Sequence, residues 1–474
     1  MLKGLEIIEV NLSKAIENKD LRIDSDFWTK EPRKNSKLKY EKIGALLKKS
    51  QYGISISMNG DKIGYPIYRM NEIHNMMCDL NVDKYADISK DEFEKFKLND
   101  RDVLFNRTNS YEWVGRTGIY RKTNEQEFIF ASYLVRFVPD EKIINPEYLI
   151  AYLNTKYGER EIKRRARRSI NQTNVNPEEV KEIYIPLLCK KIQNFIKNVF
   201  SKAHAYRLKS DDMINSAKTL LLETIGLKKF TPNAKAICVK NFKNSYHQTG
   251  RLDAEYYQCK YEELIEVVKN HKEGANVLEN FVDSYSTGFP FQSETYAKDG
   301  VYLIRINNVQ RGNLDLSDAI KVPFTDAATL SPKNIAKEND ILISMSGTIG
   351  NSCKIPKGVE AVINQRIFRF TPKNYDPEVL SLIINSIIGL HQLNRIGTGG
   401  VQTNISSSDI LKIQIPLLSL TAQSQISSLI QESFTLKTES ERLLNVAKQA
   451  VEMAIEQDEE SATKWIQEQL KVDQ

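Results

Sequence analysis

Cysteine is scarce: the 474 residues hold five, Cys78, Cys189, Cys238, Cys259 and Cys353. The count is odd and no two form a Cys-x-x-Cys pair, which argues against a disulfide framework and against a structural zinc site. No run of about 18 apolar residues occurs, so no membrane span is expected. Met1-Leu2-Lys3-Gly4-Leu5-Glu6 lacks the apolar core of a signal peptide, and a cytoplasmic chain is expected. Catalytic signatures are missing too. There is no Gly-x-Gly-x-x-Gly, no phosphate-binding P-loop and no His-Glu-x-x-His, nor the Asn/Asp/Ser-Pro-Pro-Tyr/Phe motif of aminomethyltransferases. His74 and Cys78 stand four apart, but two more metal ligands are not nearby in the chain. The metal expectation is therefore none. The net charge of +6 is only mildly basic, so it permits nucleic-acid binding without demanding it.

What the chain does have is a repeat. Gln172-Thr173-Asn174, then Ile185-Pro186-Leu187-Leu188, then a helical pattern from about 191 to 225, recur 230 residues later. The second set is Gln402-Thr403-Asn404, Ile415-Pro416-Leu417-Leu418 and a helical pattern from about 422 to 455. Further upstream, Arg22-Ile23-Asp24-Ser25-Asp26-Phe27-Trp28 matches Arg251-Leu252-Asp253-Ala254-Glu255-Tyr256-Tyr257. Arg69 to Ile73 matches Arg305 to Val309, and Asp102-Val103-Leu104-Phe105 matches Asp340-Ile341-Leu342-Ile343. With 41% hydrophobic and 27% charged residues, the length suits two globular domains rather than one core. The expected architecture is an α/β (α+β) fold with an internal repeat. Domains at 1–186 and 230–416 are each followed by a long helix, 187–229 and 417–457, with a tail at 458–474. The tail is expected to be an exposed helix or a partner-docking element. At about 1.5 Å per residue, 35 helical residues span roughly 50 Å, longer than one turn of DNA.

After the matched strands the copies diverge into polar loops, Asn106-Arg107-Thr108-Asn109-Ser110 and Ser344-Met345-Ser346-Gly347-Thr348. Such loops carry recognition groups on a fixed scaffold. Helices opened by Pro146-Glu147 and Pro377-Glu378 follow. The first leads into Arg160, Lys163, Arg164, Arg165, Arg167 and Arg168, six cations within nine residues, which exceeds what a helix dipole needs and suggests a phosphate-contacting face. The second leads into Thr398 and a glycine pair. Arg107, Asn109, Arg305, Asn307, Asn308, Gln365 and Arg366 are of the types that read base edges. Ser110, Ser344, Ser346, Thr348 and Thr398 are further candidates for DNA contact. The repeated Gln172, Thr173, Asn174 and Gln402, Thr403, Asn404 cannot distinguish two sequences, and are assigned to scaffold or phosphate contact. A nuclease-like order, Asp140 with Glu179-Val180-Lys181, finds only Asp409-Ile410-Leu411 in the second copy.

These motifs, in this order and given twice, resemble the specificity subunits of Type I restriction-modification systems over nearly the whole chain. The carriers are the Arg-x-Asp-x-x-aromatic-aromatic starts, the strand-loop segments 102–110 and 340–350, and the Ile-Pro-Leu-Leu segments followed by Gln193 and Gln423. The resemblance implies two target-recognition domains, each reading half of a split double-stranded DNA sequence. It also implies two antiparallel helices that space the domains and dock modification subunits, two of them, with restriction subunits in the full complex. The chain itself would be non-catalytic. S-adenosylmethionine, ATP and Mg would belong to those partners, with no cofactor here. The family's Gln-Gln-x-Ile helix start appears as Lys191-Ile192-Gln193 and Ala422-Gln423-Ser424-Gln425-Ile426. Two rival readings remain: a nuclease or fused modification enzyme, and a coiled-coil scaffold without DNA.

Overall fold

The computed structural model describes residues 8–17, 22–123, 125–170, 172–232, 237–317, 319–397 and 404–471. It divides into two compact units, Met1–Leu208 with Leu436–Gln474, and Lys209–Thr435. Each long helix is thus shared between the units.

In the first unit the strand Val103–Asn106 is buried at every position and lies third in a six-stranded sheet. Its neighbours are Leu134–Pro139 and Thr117–Ile119, both antiparallel to it. Burial on both faces explains why Val103-Leu104-Phe105 reads as a continuous apolar run rather than an alternation. In the second unit Ile341–Ser344, equally buried, lies between Ile367–Pro372 and Ser352–Lys354 in a four-stranded sheet. Each central strand begins on a buried carboxylate paired with an arginine of the neighbouring strand. Arg136 Nη1 lies 3.2 Å from Asp102 Oδ2, and Arg369 Nε lies 2.7 Å from Asp340 Oδ2.

Two helices follow the sheet in each unit, Pro146–Leu153 with Lys156–Arg165, and Pro377–Asn385 with Ile387–Ile396. Every residue of Pro146–Leu153 is buried, as expected of a core helix. The corner between the helices needs glycine. A Cβ on Gly158 would sit 2.2 Å from the Tyr152 carbonyl, and one on Gly389 2.2 Å from that of Ile384. Among the described residues no single helix is long and apolar enough to cross a membrane.

The long helices run Lys190–Ile225 and Leu420–Glu456. A glutamine near the start of each ties it to its sheet domain. Gln193 Oε1 accepts from the Asn145 amide at 2.9 Å, while its Nε2 donates to the Leu188 carbonyl at 2.8 Å. Gln423 makes the same two bonds, to the Asp376 amide and the Leu418 carbonyl, at 2.9 Å each. Tyr148 and Tyr375 donate their hydroxyls to the carbonyls of Pro186 and Pro416. A buried amide with both ends satisfied is costly to replace, which accounts for the repeat of these residues.

Within each unit the two helices pack antiparallel. In the first, Ile196, Val199, Phe200 and Ala203 share a core with Leu443, Leu444, Ala447 and Val451, and Ser440 Oγ donates to the Ala203 carbonyl at 2.7 Å. In the second, Ala217, Leu221 and Ile225 share a core with Ile426 and Ile430, and Ser210 Oγ donates to the Ser433 carbonyl at 2.8 Å. The tail forms the helix Glu459–Lys471, which buries Ala462 and Ile466 in the first unit's own core. Its Glu459 carboxylate accepts from the Cys189 amide at 2.9 Å, ahead of the first long helix. One sequence expectation is corrected: Cys238 and Cys259 form a disulfide. Twenty-one residues separate them, and no local pattern announces the pairing.

Candidate nucleic-acid interface

The loop that leaves each central strand is held against the Gln-Thr-Asn segment. In the first unit this contact is a small sheet of Arg167–Arg168, Thr173–Asn174 and Thr108–Asn109. Arg167 pairs with Asn174, Arg168 with Thr173, and Thr173 with Asn109. Thr108 Oγ1 donates to Asn174 Oδ1 at 2.6 Å. In the second unit Ser346 bridges Asn404, and Arg366 Nη1 donates to Asn404 Oδ1 at 2.9 Å. Thr398, Gln402 and Thr403 lie outside the described residues.

Around the first of these sheets cations and aromatic rings alternate. The Arg107 guanidinium lies 5.3 Å from the Tyr52 ring centre, and its buried Nε has no acceptor. Arg168 stacks 3.6 Å over Tyr111, and Arg116 3.2 Å over Trp113. Asn109 Oδ1 accepts from the Ser110 amide, turning the chain, and Ser110 is exposed. Arg167, Arg168 and Gln172 are exposed, and Ile170, at the tip of the hairpin, is 99% exposed. Tyr52, Tyr111, Trp113, Arg116, Tyr133 and Ile170 were not singled out from the sequence. Tyr111, Trp113 and Arg116 directly follow the Ser110 loop, while Tyr52, Tyr133 and Ile170 come from segments that only the fold gathers.

Several sequence-assigned contacts are corrected by burial. Arg164 is 5% exposed, donates to Glu161 Oε2 at 2.9 Å and to the Phe27 carbonyl at 2.8 Å, and covers the Phe27 ring. Arg395 makes the matching bond to the Tyr256 carbonyl at 2.8 Å in the second copy. Arg164 therefore docks the Arg-x-Asp-x-x-aromatic-aromatic segment and is scaffold. Arg165, also 5% exposed, is held by Glu161 and by the Glu179 carbonyl, and burial pushes its pKa down. The Lys163 ammonium, its pKa lowered by burial, donates to the carbonyls of Tyr111, Glu112 and Val114 and so clamps that loop. Thr173 is buried in the small sheet.

In the second unit Ser344 is buried, donates to the Thr348 carbonyl and accepts from the Asn351 amide. Ser346 is buried as well. Asn308, fully buried, accepts from the Arg305 amide at 2.9 Å and donates to the Asp315 carbonyl at 3.0 Å. Arg305 and Asn308 thus cap a helical turn, as Arg69 and Glu72 do in the first copy. Asn307, Thr348, Gln365 and Arg366 remain exposed.

The nuclease-like residues serve local ends. Asp140 accepts from the Lys142 amide and faces Lys48 at 3.4 Å. Glu179 is buried beside Arg22 at 3.6 Å, and Lys181 pairs with Glu178. His74 faces Asp79, and the Cys78 thiol is buried with its pKa driven up.

A family model described as Type I restriction modification DNA specificity domain matches residues 36–209 and 281–448. A putative type I restriction enzyme MjaX specificity subunit of Methanocaldococcus jannaschii is 24% identical over 424 residues, covering 86% of this chain and 89% of that protein. The EcoKI specificity subunit of Escherichia coli is 33% identical over 84 residues, 18% of each chain. A crystal structure of an S subunit from M. genitalium aligns over 89% of this chain and 97% of its own, with 12% identity and a TM-score of 0.37. The HsdS subunit of Thermoanaerobacter tengcongensis aligns over 90% and 98%, with 13% identity and a TM-score of 0.30. The two matched segments fall one on each copy of the repeat, and the chain belongs to the Type I restriction modification DNA specificity family.

Proposed function

We propose that each unit reads one half of a bipartite double-stranded DNA target and that the chain itself performs no covalent chemistry. One observation carries this reading. Both copies fix the loop by the same pair of backbone bonds, Arg107 to Tyr133 and Val175 in the first and Met345 to Arg366 and Ile405 in the second, yet the polar side chains around it differ. The first has the half-buried Arg107 and Asn109, and the second the exposed Asn307, Gln365 and Arg366. A shared frame with different readers suits two different half-sites. Modification subunits, two per chain, and restriction subunits would supply S-adenosylmethionine-dependent methylation and ATP- and Mg-dependent cleavage in the cytoplasm.

Sequencing the DNA sites methylated in cells that carry this chain with its modification subunits tests the reading. The expected result is one split motif with a fixed gap. A continuous motif, or methylation independent of this chain, overturns it. Activity of the isolated chain with Mg²⁺ or S-adenosylmethionine would instead favour the enzyme reading.

The arginine cluster should separate into two behaviours. Replacing Arg167 and Arg168 with alanine should weaken all DNA sequences alike and reduce the slope of log affinity against log salt by about 2. Arg164→Ala should leave that slope unchanged and lower the melting temperature instead, because it removes a buried guanidinium that bonds both Glu161 and the Phe27 carbonyl. Salt titrations of binding, with thermal melts of each variant, check both.

A further inference from the structure

The hairpin Ile73–His74/Met77–Cys78 has a feature that DNA reading does not use. Its turn residues Asn75 and Met76 both take left-handed backbone, with φ of 46° and 63°. Methionine rarely adopts that conformation, and the matching turn of the second copy places Gly312 there. Something around the first hairpin holds it.

What holds it is the pair of long helices. Asp79, just past the hairpin, accepts from Arg207 Nη2 of the first long helix at 2.6 Å, and Arg207 Nη1 donates to the Cys78 carbonyl at 3.2 Å. His74 Nδ1 faces the same carboxylate at 3.0 Å. Asn75 Nδ2 donates to Glu441 Oε1 of the second long helix at 3.1 Å. Met76 and Met77 are buried in one core with Phe200, Ala203 and Leu444. The hairpin therefore touches both helices. The second copy does not repeat the chemistry. Asp315, which corresponds to Asp79, accepts from the Ser317 amide, and Asp211, which corresponds to Glu441, accepts from Asn215. Lys437 stands where Arg207 would.

We infer that this hairpin is a further attachment of the first sheet domain to the helix pair, with Arg207 and Glu441 as positioning residues that fix the gap length the protein accepts. The Gln193 bracket and the bonds of Lys156 and Tyr157 to Glu452 and Glu456 hold the domain near one end of the pair. Charge-assisted bonds from the hairpin to both helices hold it again about four turns further along, and two separated grips resist tilting better than one. The inference rests on the two-half-site reading above.

The test uses the full chain with its modification subunits. DNA carries both half-sites, with the gap varied by one base pair in each direction. The unaltered chain should disfavour the wrong gaps at least about tenfold. Arg207→Gln, and separately Glu441→Gln, should bring the neighbouring gaps to within about threefold of the preferred one. Half-site sequences and melting temperature should stay unchanged, and Lys437→Gln should behave as the unaltered chain. Glu441 is exposed, so its variant gives the readout even if Arg207→Gln fails to fold. Unchanged gap discrimination in Glu441→Gln, or a change in half-site sequence rather than gap, overturns the inference. Loss of any split motif in the unaltered chain overturns the function reading itself, which is a different result.

Discussion

Arg136→Met is expected to destabilise the first unit by about 3–5 kcal/mol, because it leaves a carboxylate buried without its cation. Asp102 and Arg136 are each 4% exposed at the side chain. Arg136 also donates to the Lys97 carbonyl at 2.7 Å and to Gln51, so one guanidinium joins three segments. Burial already raises the Asp102 pKa, even with Arg136 beside it. That fixes the sign of the pH dependence. A carboxyl whose pKa is raised on folding binds its proton more readily when folded, so its contribution is favourable at low pH and lost as pH rises through the folded value. Without Arg136 the pKa should rise further. The defect of Arg136→Met should therefore be larger at pH 8 than at pH 5. Urea unfolding at both pH values, followed by proteolysis to report each unit, checks it. The double variant Asp102→Asn, Arg136→Met should recover much of the loss. Equal defects at both pH values would show that Arg136 acts through its carbonyl and amide partners rather than through Asp102.

Arg107→Ala is expected to relax one half of the methylated motif by about 1–3 kcal/mol at one position, tenfold or more in preference, while the other half stays sharp. The backbone at Arg107 is fixed from both sides. Its amide donates to the Tyr133 carbonyl at 3.0 Å, and its carbonyl accepts from Val175 at 2.9 Å. The guanidinium is steadied by the Tyr52 ring. Tyr52→Ala should weaken recognition of the same half more mildly, since it removes the support and not the reader. Sequencing of methylated sites distinguishes the outcomes. A change in both halves would mean that Arg107 holds the fold rather than reading bases.

The repeat made much of this architecture legible in advance. Residues that recur 230 apart do so where the same bond recurs, and Gln193 with Gln423 shows why: each amide satisfies two buried backbone groups. The site was less legible. Arg164 and Arg167 look alike in sequence, but the helix ends at Arg165 and extended chain begins at Arg167, so the two face different surroundings. Ser344 and Asn308 have the polarity of readers and the burial of caps. Tyr52 and Tyr133 meet Arg107 only through pairing between distant strands, which local patterns do not encode.

The helix pair also limits which side chains can stand where the two helices meet. Within the first unit the Ser440 hydroxyl bonds the Ala203 carbonyl, and within the second the Ser210 hydroxyl bonds that of Ser433. All four residues are buried. A larger side chain at any of them would press the two backbones apart, so these crossings admit only hydroxyls and a methyl group.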